Sequence, residues 1–180
     1  MGFPRAFLIQ CILAVQALSV AQADSGDRDI SDTVYRPSLI SLDTALDIAI
    51  KANTACREEG FQPTTTVIDS MGQIKVQLHS DHAFPHTIQT SYRKALTAAS
   101  RRTATSQIVD NNEHESDLVH TFNAIGLTTM GGGVPIYQKG VIIGGIGIAG
   151  APGENENNKG FDEICAEQAI RSIKSLSTTE

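Results

Sequence analysis

Three histidines, His79, His82 and His86, crowd the short stretch HSDHAFPH. Imidazole nitrogens are common ligands for transition metals and for haem iron. Because Pro85 interrupts the stretch, the three rings cannot share one face of a helix. A zinc site would need a fourth ligand, and the sequence has no C-x-x-C pair to supply one. Two interpretations stay open: solvated loop histidines, or at least one histidine that serves as an axial ligand or as a donor in a pocket.

A second candidate group, Tyr92, Arg93 and Lys94, follows in the next predicted helix. Two cations beside an aromatic ring suit a planar ligand or one that carries carboxylates. The alternative is structural, with the tyrosine in the core and both cations in solvent.

A third group, Glu113, Asp117 and His120, has i, i+4 and i+7 spacing. On a helix these residues would form either a face that holds a surface metal ion or an ordinary solvated face. The sequence contains no G-x-S-x-G, no P-loop and no H-E-x-x-H, so no nucleophile signature is present. The candidate catalytic residues are therefore His86 and Tyr92, which could act as acid and base.

The segment VIIGGIGIAG, residues 141–150, contains the string G-x-G-x-x-G. A dinucleotide-binding loop requires a helix directly after the last glycine and an acidic residue about 20 positions later, in a parallel unit. The polar loop APGENENN follows instead, which excludes that site. As a strand, the segment places Gly145 and Gly147 on one face and two isoleucines on the other. The bare glycine face is either covered by a closely packed helix or open to a flat ligand.

The elements that must position these residues begin with a helix that starts at Ser41 and ends at Gly60. Its apolar face is predicted from spacing: Ala45, Ile48, Ala49, Ala52 and Cys56. A hairpin follows, with its turn at residues 69–72, and its core residues are Val67, Ile74, Val76 and Leu78.

The next helix is predicted to begin near His86. Its buried side is read from the apolar positions Ile88, Tyr92, Ala95, Leu96 and Ala99. A short helix around 113–124, three short strands within 127–150 and a last helix over roughly 160–176 complete the chain. Because hairpins imply antiparallel pairing, this order predicts an α+β fold with one antiparallel sheet and helices packed on it.

The composition is that of an ordinary, mildly acidic globular domain, with 180 residues, 41% hydrophobic residues and a formal net charge of −6. A protein that binds nucleic acid or an anionic membrane would be expected to carry a basic patch, so neither partner is predicted.

The uncharged run after Arg5 ends in Ala-Gln-Ala, which indicates a secretory signal peptide over residues 1–23 rather than a membrane anchor. Residues 24–40 are predicted to be a flexible leader, and 41–180 the folded domain.

Signal removal would leave two cysteines, Cys56 and Cys165. An oxidising compartment permits a disulfide between them, and two buried free thiols are the equal alternative.

Four segments then occur in a familiar order between about residues 41 and 176: ALDIAIKANTACREEGFQPTTTVIDSMGQIKVQLHSD, SYRKALTAAS, GGGVPIYQKGVIIGGIGIAGAPG and DEICAEQAI. They resemble the GlcG/HbpS family, which also supplies the C-terminal domain of PduO-type corrinoid adenosyltransferases. The resemblance implies a profilin-like α+β fold, a five-stranded antiparallel sheet flanked by helices, and homo-oligomers. It also implies a small-molecule ligand, haem, as the suspected cofactor.

Carried onto this sequence, the family's helix motif falls on Tyr92, Arg93 and Lys94. Its glycine motif, expected to wall the pocket, falls on Gly132, Gly133, Gly145 and Gly147. The loop histidines depart from the family pattern, so the choice of His82 and His86 as iron ligands rests on chemistry alone. The predicted function is a secreted or periplasmic haem-binding protein in haem or iron handling or redox sensing. The alternative is an enzyme on the same scaffold, a secondary-metabolism isomerase or cyclase.

Overall fold

The structure, a computed structural model, describes residues 34–110 and 115–180, and residues 36–180 form one compact unit. Helices and antiparallel hairpins alternate as predicted. Nine elements run in the order α1 (Leu42–Glu58), β1 (Thr64–Asp69), β2 (Ile74–His79), α2 (His86–Arg101), α3 (Ser106–Asp110), α4 (Glu115–Ala124), β3 (Gly133–Gln138), β4 (Val141–Ala149) and α5 (Phe161–Arg171) within the described ranges.

The sheet has the order β2-β1-β4-β3, and every neighbouring pair is antiparallel. The described residues form four strands, so the expectation of five is wrong. Residues 127–130, expected to supply a strand, are a loop, in which the Thr128 N–H donates to Thr97 Oγ1 of α2 at 2.9 Å. Beside β3, Tyr137 and Ser177 exchange two backbone hydrogen bonds, a single bridge that does not continue as a strand.

Helices α1 and α5 pack together on one face of the sheet, and α2 packs on the other face. Ser41 caps α1 as predicted, since its Oγ accepts the Thr44 N–H at 3.2 Å. All five residues predicted for the apolar face of α1 are buried. Cys56 of α1 and Cys165 of α5 form a disulfide with a Cα–Cα distance of 5.5 Å, which confirms the first of the two alternatives for these cysteines.

Both hairpin turns contain glycines with positive φ. In the first hairpin, Gly72 has φ +85° and Asp69 Oδ1 accepts the N–H groups of Met71 and Gln73. In the second, Lys139 and Gly140 both have positive φ, as a two-residue turn of mirror type requires.

Two expectations about the core are corrected. Ile74 is 51% exposed, because it begins the edge strand β2. On α2, Ile88 is 43% exposed and the helix instead buries polar side chains, among them Thr87 and Ser91. Those hydroxyls are tolerated because threonines of β1 lie within hydrogen-bond distance of them. The hydroxyl oxygens of Thr64 and Thr87 are 2.6 Å apart, and those of Thr66 and Ser91 are 2.7 Å apart.

The glycine face of β4 lies directly beneath α2. A Cβ added at Gly145 would stand 2.7 Å from the Ala95 carbonyl oxygen, and one at Gly147 would overlap the Ser91 carbonyl oxygen. The close-helix interpretation of these glycines is therefore confirmed. A flat ligand cannot lie on Gly145 and Gly147, since helix backbone occupies that space.

Replacement of Gly147 by alanine should destabilise the fold by about 1 to 3 kcal/mol or more, because the added methyl group forces α2 away from the sheet. A matched control is Gly131→Ala, where the new Cβ would meet Ser106 Cβ at an ordinary 3.5 Å. Denaturant unfolding of both variants tests the close packing. Equal stability of the two variants would contradict it.

Candidate functional site

A cleft with two lobes opens beside α2, with volumes of about 910 and 360 Å³. Four residues line both lobes, which shows that the lobes adjoin: Lys94, Met130, Pro152 and Asp162. The walls come from α2, from the loop before β3, and from the residues between β4 and α5. Cavities of several hundred Å³ at such a junction suit a small organic ligand or cofactor.

The floor of the cleft is a buried ion pair between Lys94 and Asp162. Lys94 is 3% exposed, and its Nζ donates to Asp162 Oδ2 at 2.6 Å and to the Ile148 carbonyl oxygen at 2.9 Å. Asp162 Oδ1 accepts the Ala151 N–H at 2.9 Å. Burial raises the pKa of Asp162 above its ordinary 3.8, although the Lys94 charge and two hydrogen bonds act in the opposite direction. Desolvation of this carboxylate thus outweighs the attraction of its partner.

The smaller lobe is mainly apolar and open at its rim. Phe84 and Met130 line it and are 68% and 58% exposed. His86, the first residue of α2, lines the same lobe, and its ring stacks on Phe84 with centroids 6.1 Å apart and an interplanar angle of 17°. An imidazole therefore stands beside exposed apolar side chains in a lobe that the buried ion pair also lines.

The three loop histidines are in different surroundings. His82 and His86 are both exposed, but only His86 lines the cleft, and His82 lines neither lobe. His79 also lies outside both lobes. Across residues 34–110 and 115–180, no set of three or more His, Cys, Asp or Glu side chains is arranged to hold a metal ion. The loop is thus not a three-histidine metal centre.

A chain of hydrogen bonds fixes the ring of His79. Each threonine hydroxyl has one proton, and Thr87 gives its own to the Phe84 carbonyl oxygen at 2.6 Å. Thr64 Oγ1, 2.6 Å from the Thr87 oxygen, must then donate to Thr87. His79 Nδ1, 2.7 Å from Thr64 Oγ1, is therefore the donor in the last bond. This histidine helps to hold α2 on the sheet.

The residues of the helix motif divide between the cleft and the surface. His86, Thr90 and Lys94 recur every four residues on α2 and line the cleft. Tyr92 is offset from this row by two residues, about 200° around the helix, and lines neither lobe. Arg93 is likewise outside both lobes. The proposed acid–base pair of His86 and Tyr92 is thus not brought into one cavity.

The four glycines of the predicted pocket wall line neither lobe. Gly132 and Gly133 lie against Lys94: a Cβ at Gly132 would stand 3.0 Å from Lys94 Nζ, and one at Gly133 would overlap the Lys94 carbonyl oxygen. Like Gly145 and Gly147, they allow α2 and its lysine to come close to the sheet. Their contribution to the cleft is therefore indirect.

Of the surface group predicted around α4, the structure describes two of the three residues. Glu113 lies outside the described residues. Asp117 and His120 are both exposed on α4, and they belong to no group of three possible metal ligands among the described residues. A metal ion at this face stays a prediction.

Phe84, Met130 and Asp162 are among the lining residues of the cleft that the sequence did not single out. Asp162 had a signal, since the acidic pair at 162–163 belongs to the pattern that carries the family resemblance. Phe84 and Met130 had a weaker signal, as large apolar side chains within loops. Such residues are candidates for ligand contacts because loops leave them exposed.

Comparison with known proteins places the chain in a family. The model of the HbpS-like family, described as haem-degrading protein HbpS-like, matches residues 40–171. An uncharacterised 15.0 kDa protein from the dhaT-dhaS intergenic region of Citrobacter freundii is 27% identical over 139 residues, which are 76% of this chain and 94% of that protein.

Solved structures agree with this assignment. A double mutant of HbpS from Streptomyces reticuli superposes with a TM-score of 0.68 at 26% identity, over 78% of this chain and 91% of that one. A PduOC–haem complex superposes with the same TM-score at 23% identity, over 79% of this chain and 99% of that one, a likeness of fold. The α+β architecture with one antiparallel sheet is thus shared with HbpS. This protein belongs to the HbpS-like family.

Proposed function

We propose that this chain binds haem in the two-lobed cleft, with His86 as a ligand to the iron. The observation that carries the proposal is the smaller lobe, where an imidazole stands among exposed apolar side chains. Haem needs an apolar surface for its macrocycle and a protein ligand for its iron, and this lobe offers both. At the level of the family, haem binding has support from the family description and from the PduOC–haem complex.

The larger lobe supplies the polar end of the same ligand. Lys94 and Lys159 both line it. A lysine ammonium has three N–H donors, and Lys94 uses two of them on Asp162 and on the Ile148 carbonyl oxygen. The third can donate to a ligand carboxylate, such as a haem propionate. Bound haem would supply iron chemistry, while these residues would orient the macrocycle and exclude water from one of its faces.

We also propose secretion or export to a periplasm, with a role in haem or iron handling or in redox sensing. The disulfide supports export, because such bonds persist in oxidising compartments. The predicted signal peptide lies outside the described residues. Among the described helices, none has the length and apolar character needed to cross a bilayer.

Homo-oligomerisation, implied by the family resemblance, is part of the proposal. Leu42, Leu46 and Ile50 form an exposed apolar row along α1, with exposures of 55, 41 and 50%. Exposed apolar surface of this kind often marks a protein contact.

Titration with haemin tests the binding proposal. The unmodified protein should give a saturable shift of the Soret band. His86→Ala should weaken binding by at least about 10-fold, since the loss of even an outer-shell partner of a metal ligand typically costs about 10- to 100-fold. His82→Ala is the matched control, an exposed histidine of the same loop that lines neither lobe, and should bind as the unmodified protein does. Absence of a saturable shift would refute haem binding. Equal effects of the two substitutions would refute only the choice of ligand.

A further inference from the structure

Four side chains of the smaller lobe carry atoms able to bind a metal: His86, Met130, Lys94 and Asp162. Lys94 is excluded as an iron ligand because an ammonium has no lone pair and because its protons go to Asp162 and to the Ile148 carbonyl oxygen. Asp162 is engaged through both oxygens, one with Lys94 and one with a backbone N–H. The imidazole and the thioether remain.

The lobe also contains two hydroxyls, and both are used within the protein. Thr87 donates to the Phe84 carbonyl oxygen at 2.6 Å, and Thr90 donates to the His86 carbonyl oxygen at 3.0 Å. Neither needs a ligand to satisfy its proton.

The position of Met130 is tied to the helix that carries His86. The Met130 N–H donates to Thr128 Oγ1 at 3.2 Å, and the Thr128 N–H donates to Thr97 Oγ1 at 2.9 Å. Because Thr97 belongs to α2, this short relay holds the backbone of the loop against the helix. The Met130 side chain is 58% exposed, and a thioether on three rotatable bonds can adjust to a ligand.

We propose that Met130 Sδ is a second ligand of the haem iron, together with His86. This inference rests on the proposed haem binding and adds a ligand to it. Imidazole and thioether together are a known axial pair that raises the reduction potential of haem relative to nitrogen ligands alone. The pair therefore predicts a haem that is held more readily in its ferrous form.

Spectroscopy of the haem-loaded protein tests the thioether. Ferric protein should show the weak red charge-transfer band of a sulfur–iron bond, and Met130→Leu should abolish that band and lower the reduction potential. Leucine keeps the side chain apolar, so haem should still bind. Met71→Leu is the matched control, since Met71 is 59% exposed in the first hairpin turn and lines neither lobe. It should leave both the band and the potential unchanged.

The outcomes separate the two proposals. Saturable haem binding with the same spectrum and potential in Met130→Leu as in the unmodified protein would overturn the thioether ligand and leave haem binding in place. Failure of the unmodified protein to bind haemin would overturn haem binding itself. Loss of the band in Met71→Leu as well would also overturn the assignment to Met130.

Discussion

Replacement of Cys56 and Cys165 together by alanine should lower the free energy of unfolding by about 4 to 5 kcal/mol. The disulfide joins positions 109 residues apart, so it restricts the unfolded chain over most of the domain. It also ties α1 to α5, the two helices on one face of the sheet. Alanine suits both sites, because both cysteines are buried in the core cluster beside alanines.

Denaturant unfolding with and without a reductant measures this contribution. The unmodified protein should fall to the stability of the double variant once its disulfide is reduced in the unfolded state. The double variant should not respond to the reductant. A double variant as stable as the oxidised protein would show that the cross-link contributes nothing.

Asp162→Asn should destabilise the protein by about 1 to 3 kcal/mol, because the single amide oxygen can keep only one of the two hydrogen bonds that the carboxylate accepts, from Lys94 Nζ and from the Ala151 N–H. The side chains of Lys94 and Asp162 are only 4% and 14% exposed. A matched control is the surface pair of Lys51 and Asp47, with an N–O distance of 2.7 Å and side-chain exposures of 40% and 51%.

The control substitution Asp47→Asn should cost about 1 kcal/mol or less, since water screens exposed pairs. Unfolding free energies of the two variants are the measurement. Similar losses in both would contradict a buried ion pair between Lys94 and Asp162.

The raised pKa of Asp162 adds a pH signature to the same experiment. Because the folded protein binds this proton more tightly than the unfolded chain, Asp162 makes stability fall as pH rises from about 3.8, the ordinary value, through the raised folded pKa. In Asp162→Asn that falling component should be absent. The measurement is unfolding free energy against pH for both proteins in this window. If the unmodified protein instead gained stability with rising pH relative to Asp162→Asn, the attraction of the Lys94 charge would outweigh desolvation of the carboxylate.

Local patterns predicted much of the fold. The apolar face of α1 was correct at every position because its residues alternate between small apolar and polar types at helical spacing. The α2 face was wrong for a physical reason. Its buried side carries hydroxyls and a lysine whose partners come from β1, β4 and Asp162, and no local pattern reveals such distant partners.

Only part of the site could be predicted, because its residues also come from distant parts of the chain. Lys94 and His86 were named from chemistry and motif, and the structure brings both to one cleft. Met130 and Asp162 are 36 and 68 positions from Lys94 along the chain, and only the packing of α2 against glycines places them together. The glycines, expected to wall the pocket, lie against the backbone of α2 and outside both lobes.

The central claim is that haem occupies the cleft beside α2, and a crystal structure of the haem-loaded protein tests it most directly. We expect iron bound by His86, the macrocycle over Phe84 and Met130, and a propionate facing Lys94. Haem held elsewhere, for example by His79 or His82, which line neither lobe, would contradict this claim. Haem in the cleft with iron unbound to His86 would contradict the ligand assignment.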